Sequence, residues 1–297
     1  MKTILLEFEN LPRFASPISI CLGNFDGVHI GHQQVIKKAV LDSGTEVAVL
    51  TFDAPLGSVI DGRKAKQVLT SVSDRFQIIH RLGADYLFVL HLDEKLLSMS
   101  AEDFIVKVLK KLNVAKVFAG QDYRFGHEQA GDIELLSKHF SVTSLPLFDV
   151  EHHKVSTSQI IAFLKQGKIN KANELLGRHY QMHGTISEGL HNGKTIGFPT
   201  ANLKLSAPYV IPKFGVYKTI CYIDGFPHLS LTNVGLHPTI QQLDMPSIEV
   251  HIPNYEGEDY GKTMYLEFIA FLRPERRFTT LDELKAQISR DIVSIKP

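Results

Sequence analysis

Ile18-Ser19-Ile20-Cys21-Leu22-Gly23-Asn24-Phe25-Asp26-Gly27-Val28-His29-Ile30-Gly31-His32 is the stretch whose reading decides the fold. An apolar run enters a glycine-bearing turn, and a polar-apolar stretch with helical spacing follows. A parallel α/β sheet presents backbone N–H groups to a phosphate at such a strand-to-helix turn. Gly23, Asn24, Phe25, Asp26 and Gly27 are therefore candidate phosphate-binding residues. His29 and His32, one helical turn apart, add donors that can stabilise charge developing on a reacting phosphate. A bare H-x-x-H also occurs as a surface turn with two incidental histidines. Its place at the first strand-to-helix turn favours the phosphate site.

Working outward, Gln33 to Leu41 reads as an amphipathic helix and Glu46 to Phe52 as a buried strand, so a βαβ unit begins. A Gly/Pro-interrupted loop spans Asp53 to Lys66. A helix is expected near Ser73 to Leu82, a strand over Tyr86 to Leu92, and a helix from the capping sequence Ser100-Ala101-Glu102-Asp103 to about Leu112. Ala115 to Ala119 is a strand ending at Gly120, Asp132 to His139 a helix, and Ser141 to Phe148 extended. This alternation predicts a doubly wound parallel sheet with ligands at the carboxyl ends of the strands. The opening motif and Gly120-Gln121-Asp122 both fall at that end.

Val155 to Leu176 reads as two short helices, broken at Gln166-Gly167 and closed at Gly177. Beyond Gly184 the pattern changes to short extended runs: Thr185-Ile186, Tyr217 to Ile223, His228 to Asn233, Ile248 to Ile252 and Met264 to Leu272. Glycines and prolines separate them, which predicts a small antiparallel β-barrel. A terminal helix is expected from about Thr280 to Val293. The expected domains are 1–180 and 181–297, in keeping with a length of 297 residues.

Lys plus Arg and Asp plus Glu number 32 each, so there is no global field for a nucleic acid, and none is expected as a partner. The two cysteines, Cys21 and Cys221, suit reduced cytosolic thiols more than a disulfide framework. Glu7 and Glu9 cut the N-terminal apolar run short of a signal peptide, and no stretch is long and apolar enough to span a membrane. A cytoplasmic protein without membrane partners is expected; its oligomeric state is left open.

Gly23 to His32, Gly120-Gln121-Asp122-Tyr123-Arg124-Phe125-Gly126 and Gly197-Phe198-Pro199-Thr200-Ala201-Asn202 together resemble the bacterial bifunctional riboflavin kinase/FAD synthetase family, in that family's order and over nearly the whole chain. The resemblance implies a nucleotidyltransferase-like N-terminal α/β domain that joins FMN to the AMP part of ATP, releasing pyrophosphate. It implies a C-terminal barrel that phosphorylates riboflavin. Riboflavin, FMN, FAD and ATP are the implied ligands, with Mg²⁺ accompanying ATP and no tightly bound cofactor beyond the flavins.

Residue by residue, the resemblance implies flavin-binding roles for Asp122, Arg124 and Phe125. Asp122 also reads as a turn or N-cap aspartate. It further implies nucleotide contacts from Ser156, Thr157, Ser158 and Gly197, Mg²⁺ and ATP ligation by Thr200 and Asn202, and a general base in Glu249. Without the resemblance, Glu249 is an outward strand glutamate sharing a face with His251. Three departures stand out. Thr51-Phe52-Asp53-Ala54-Pro55-Leu56 lacks the family's histidine, Gln159-Ile160-Ile161 lacks both its arginines, and Gly235-Leu236-His237-Pro238-Thr239 carries histidine for arginine. Gly193-Lys194-Thr195 fails as a P-loop because Glu188 stands where a glycine is needed. Three readings stay open: both activities, one only, or a flavin- or nucleotide-binding regulator with little turnover.

Overall fold

The computed structural model describes residues 1–54, 67–150, 153–188, 197–236, 246–255, 257 and 259–296. Residues 189–196, with Gly193-Lys194-Thr195 among them, Pro55-Leu56 and His237-Pro238-Thr239 lie outside them. The chain forms two compact units, Met1–Thr157 and Ser158–Pro297.

In the first unit, strands β1 (Lys2–Leu6), β2 (Ile18–Leu22), β3 (Val47–Phe52), β4 (Tyr86–Leu90), β5 (Val114–Gly120) and β6 (Ser141–Leu145) form one sheet in the order β1-β4-β3-β2-β5-β6. Every pairing is parallel. Helices α1 (Ile30–Asp42), α2 (Val72–Arg81), α3 (Glu94–Leu97), α4 (Ala101–Phe104) and α5 (Ile133–Ser137) alternate with the strands. Because successive strand residues face opposite ways, Ile18, Ile20 and Leu22 enter one core with Phe104, Val108 and Leu136, while Cys21 enters the other with Val35, Ile36 and Ile79. Helices therefore cover both faces, as the doubly wound expectation requires.

From β2 the chain proceeds to β3 and β4 on one side, then crosses to β5 and β6 on the other. The crevice between β2 and β5 is thus the topological switch point, where doubly wound sheets hold their ligands.

Several local differences have physical causes. α1 starts at Ile30, three residues before the predicted helix, because the His29 imidazole caps it. The full capping box is Ser71 with Asp74, whose side chains and amides exchange bonds of 3.1 and 2.8 Å. After α4, residues Ile105–Leu109 wind as a π-helical turn, with Lys110 N donating to Ile105 O. β1 lies at the sheet edge, leaving Leu5 exposed. Beyond β6, β7 (Asp149–Val150) and β8 (His153–Lys154) form a short antiparallel pair.

Helices α6 (Thr157–Gln166) and α7 (Ile169–Leu176) lead into β9 (Tyr180–Ser187), β10 (Ala201–Leu205), β11 (Gly215–Ile223), β12 (Phe226–Leu236), β13 (Pro246–His251) and β14 (Thr263–Arg273). These six strands close an antiparallel barrel in the order β10-β13-β12-β11-β14-β9. The terminal helix α8 (Leu281–Ile295) is capped by Thr280, and its Ile288, Ile292 and Ile295 pack with Val216 and Leu231.

The units divide at 157/158, ahead of the 180/181 division read from the sequence. Asn173 on α7 accounts for much of this. Its side chain donates to Phe268 O at 2.9 Å and accepts from Tyr180 N at 2.7 Å, bonding the helix to barrel strands.

Candidate active sites

In the first unit the turn after β2 is held in a conformation its sequence does not favour. Phe25, Gly27 and Val28 have φ of 51°, 78° and 38°. For a β-branched residue such as Val28 this costs about 1–3 kcal/mol and persists only when surroundings over-determine it. Those surroundings are explicit. Thr51 Oγ1 donates to Asn24 O at 2.8 Å, Thr157 Oγ1 to Asp26 O at 3.1 Å, and Gln33 Nε2 to Val28 O at 3.0 Å. Gly27 N donates to Thr70 Oγ1 at 2.8 Å.

His29 closes the turn. Its Nδ1 accepts the His32 amide at 3.2 Å, so the proton of the neutral ring resides on Nε2, a donor. The His32 ring stacks on His29 with centroids 3.6 Å apart and planes 13° apart. Gly31 makes room for this pair, since a Cβ there would stand 3.3 Å from Cε1 and Nδ1 of His29.

Gly120-Gln121-Asp122 leaves the carboxyl end of β5, the strand that pairs with β2, so the first two motifs meet at the switch point. Asp122 is exposed and folds back until its Oδ1 is 3.1 Å from the place of a Gly120 Cβ.

The remaining residues expected at this site have more varied positions. Asp26 is buried, and its carboxylate accepts from Leu69 N, Thr70 N and Thr70 Oγ1 at 3.0–3.1 Å, so it is turned to the segment before α2. Burial pushes its pKa up, while those bonds and the Arg75 charge act in the opposite direction. Arg124 is ion-paired with Asp132 at 3.2 Å. Phe125 is buried against Phe104 and Tyr123, with ring centroids 5.6 and 5.8 Å away. The Thr157 hydroxyl holds the turn by donating to the backbone carbonyl of Asp26, and Ser156 precedes it. Ser158 is exposed and falls in the second unit.

In the barrel, two distant motifs are partners in one antiparallel ladder: Ala201 pairs with Val250, and Asn202 with Glu249. On its other side Glu249 pairs with Asn233 of β12. Directly opposed residues hold their Cβ atoms about 4.5–5.5 Å apart on one face, so two carboxamides flank the glutamate. Ser247 Oγ donates to Glu249 Oε1 at 3.1 Å.

His251, two residues on, anchors the other motif. Its Nδ1 bonds Pro199 O at 2.8 Å, and Phe198 meets its ring edge-on at 5.7 Å. A carbonyl only accepts, so Nδ1 carries the proton. Gly197 enters this segment with φ 87°. Thr200 immediately precedes β10 and lines a cleft of about 100 Å³ with Pro199, Val250, Tyr255 and Asp259. Thr200, Asn202 and Glu249 are thereby brought to one stretch of ladder.

Sequence reading did not single out Thr51, Thr70 or Arg75. Arg75 did leave a signal: helical spacing puts it with Val72, Phe76 and Ile79 on the apolar face of α2. A charge on a buried face requires partners.

Comparison with known proteins finds a FAD synthetase family model over residues 11–159 and a riboflavin kinase family model over 176–297. A bifunctional riboflavin kinase/FMN adenylyltransferase of Listeria monocytogenes is 36% identical, the match covering 98% of this chain and 96% of that one. Proteins of the same description from Bacillus subtilis and Escherichia coli are 34% and 31% identical, over 92% of this chain and 89% and 90% of theirs. Among solved structures, one titled a macrolide-efflux protein from Streptococcus pneumoniae superposes with a TM-score of 0.90, at 26% identity and 97% coverage of both chains.

Proposed function

The chain belongs to the bifunctional riboflavin kinase/FMN adenylyltransferase family, and from that premise we propose that it phosphorylates riboflavin to FMN and adenylylates FMN to FAD, spending one ATP in each step. The observation that carries the reading is the pairing of motifs within each unit: Gly23 to His32 with Gly120-Gln121-Asp122 at one switch point, and Thr200-Ala201-Asn202 with Glu249 along one ladder.

In the first unit an oxygen of the FMN phosphate attacks the α-phosphorus of ATP, and the bond to the β-phosphate breaks to release pyrophosphate. Such transfers are catalysed by positioning and by neutralising phosphate charge. The turn amides and the Nε2–H of His29 supply donors, His32 supports the His29 ring, and Asp122 shapes the adjoining wall. In the second unit the ribityl 5′-hydroxyl attacks the γ-phosphorus, its proton passes to Glu249, and ADP leaves. Ser247 orients the Glu249 carboxylate, and His251 fixes the Pro199-Thr200 segment opposite it.

Thr200 and Asn202 offer a hydroxyl and a carboxamide oxygen, an all-oxygen donor set of the kind Mg²⁺ takes alongside phosphates, and they would hold the ion there. When bound it would neutralise charge on the ATP phosphates. The buried free thiols of Cys21 and Cys221 suit a reducing cytosol. Among the described residues no helix is long and apolar enough to cross a membrane.

Incubation with Mg·ATP and either riboflavin or FMN, followed by chromatographic separation of the flavins, tests this reading. Both FMN from riboflavin and FAD from FMN are expected. One product without the other reduces the protein to a single activity; neither product makes it a binding protein.

A further inference from the structure

Beneath the phosphate turn lies an arginine that the reaction does not touch. Arg75 is 4% exposed. Its Nη1 donates to Thr51 Oγ1 and to Phe52 O, the latter at 2.9 Å, and its Nε points to Ser71 O at 3.4 Å. Asp26, Asp74 and Asp53 sustain its charge against the cost of burial.

The chemistry of the two charges fixes the direction of two further hydrogen bonds. A guanidinium only donates, so Thr51 must accept from it, and the single hydroxyl proton of Thr51 is committed to Asn24 O. An ionised carboxylate only accepts, so Thr70 must donate to Asp26, and a lone pair of its oxygen is committed to Gly27 N. One threonine is thereby made a donor to the turn and the other an acceptor from it. Each is oriented by a buried charge, and the two charges attract one another. The positive-φ residues Phe25, Gly27 and Val28 lie respectively between the anchors Asn24 and Gly27, at the second anchor and just beyond it, and they set where the amides and His29 are aimed.

We propose that Arg75 is a positioning residue for adenylyl transfer, acting through Thr51 as one half of a charge-oriented pair of relays, Arg75–Thr51–Asn24 and Asp26–Thr70–Gly27, that holds the phosphate turn in its strained conformation. This rests on the assignment of FMN adenylylation to the first unit. Losing the relay lets the turn relax without removing any group that meets substrate. A misplacement of about 1 Å in such a site costs roughly 10²-fold in rate.

The experiment compares Arg75→Met, Arg75→Lys and Thr51→Val with the unmodified chain, measuring kcat and KM for FAD formation from FMN and ATP, with thermal unfolding of the first unit as the folding control and riboflavin phosphorylation by the same preparation as the measure of active enzyme. Arg75→Met is expected to lower kcat for FAD formation about 100-fold with KM for ATP changed less than about threefold. Arg75→Lys should regain about tenfold of that loss, since an ammonium can donate to Thr51 but cannot reproduce the guanidinium fork. Thr51→Val leaves the arginine in place, removes only the relay, and should lower kcat about 10- to 100-fold. FAD formation within about threefold of the unmodified rate in Arg75→Met, or in Thr51→Val, overturns the proposal. So does a lysine variant no better than the methionine one, because bulk packing and not directed donation would then be the role. An unmodified chain that makes no FAD refutes the assigned activity itself, a result distinct from all of these.

Discussion

The two sites are built on opposite plans. In the α/β unit the proposed phosphate site is a turn of backbone, with positive φ at Phe25, Gly27 and Val28, and side chains from β3, the segment before α2 and the start of α6 brace it from behind. In the barrel the proposed groups are side chains on regular strands, set opposite one another by register, Asn202 with Glu249 and Glu249 with Asn233. A ladder enforces its own geometry through its hydrogen bonds and needs little else to align the groups. A strained turn does not, so its precision depends on buried residues that never meet the substrate. The barrel site should therefore fail mainly when a reacting group is lost. The turn should also fail when its scaffolding is altered.

The largest effect that can break this comparison is at Glu249. Glu249→Gln keeps the acceptor for Ser247 and nearly the same volume but removes the base. Riboflavin phosphorylation is expected to fall about 10³-fold while FAD formation from FMN is unchanged, as read by flavin chromatography on one preparation. Retained phosphorylation would return Glu249 to an ordinary strand residue.

Next comes His29, where capping and chemistry can be separated. Asparagine is a good N-cap and alanine a poor one, but neither supplies the donor at the Nε2 position. FAD formation should fall about 10²-fold in both His29→Asn and His29→Ala. Thermal unfolding of the first unit should fall only in the alanine variant, by about 1 kcal/mol. If the asparagine variant kept full activity, the histidine would be a cap alone.

Gly31→Ala sharpens the contrast between scaffolding and stability. Alanine is the better helix former, which offsets the cost of disturbing the His29 cap, so melting of the unit should change little. The new Cβ stands 3.3 Å from the His29 ring, which has to move. FAD formation should fall about tenfold with riboflavin phosphorylation untouched. No alanine scan of barrel strand residues outside the Glu249 row should show activity loss at unchanged stability.

How much of this was legible in the sequence follows the same division. Apolar runs and glycine turns disclosed the strands, and their alternation with helices disclosed the doubly wound sheet, because each signal is local. The motifs too were local. Their meeting was not: Asn202 and Glu249 are register partners only once β10 and β13 pair. The His29 cap escaped because histidine is not among the usual capping residues, which moved the start of α1 to Ile30. Thr51, Thr70 and Arg75 reach the turn from β3 and from the described residues that resume at 67, and no spacing in the chain connects them to Asn24 and Gly27. Phe125 carried a family motif yet lies in the core, its ring against Phe104 and Tyr123 and 2.7 Å from the place of a Gly131 Cβ.

The smallest expected effect concerns the sign of the pH response at one buried aspartate in each unit. For Asp26, burial is the leading influence and raises the pKa, so the native state binds the proton more tightly than the unfolded chain does. Its contribution to stability consequently falls as pH rises from the ordinary aspartate range through the raised native value. For Asp259, burial acts upward, but hydrogen bonds from Tyr255 at 2.6 Å and Lys262, whose Nζ lies 2.9 Å away, outweigh it and lower the pKa. That contribution is present above the ordinary aspartate value and is lost as pH falls through the native one. Asp26→Asn and Asp259→Asn should therefore change the pH dependence of melting in opposite senses, each by about 1–3 °C between pH 4 and 7. Equal senses would mean that the turn's aspartate is a stabilising ion pair like the barrel's. The cost of burying it would then not be a stability sacrificed for the geometry of the turn.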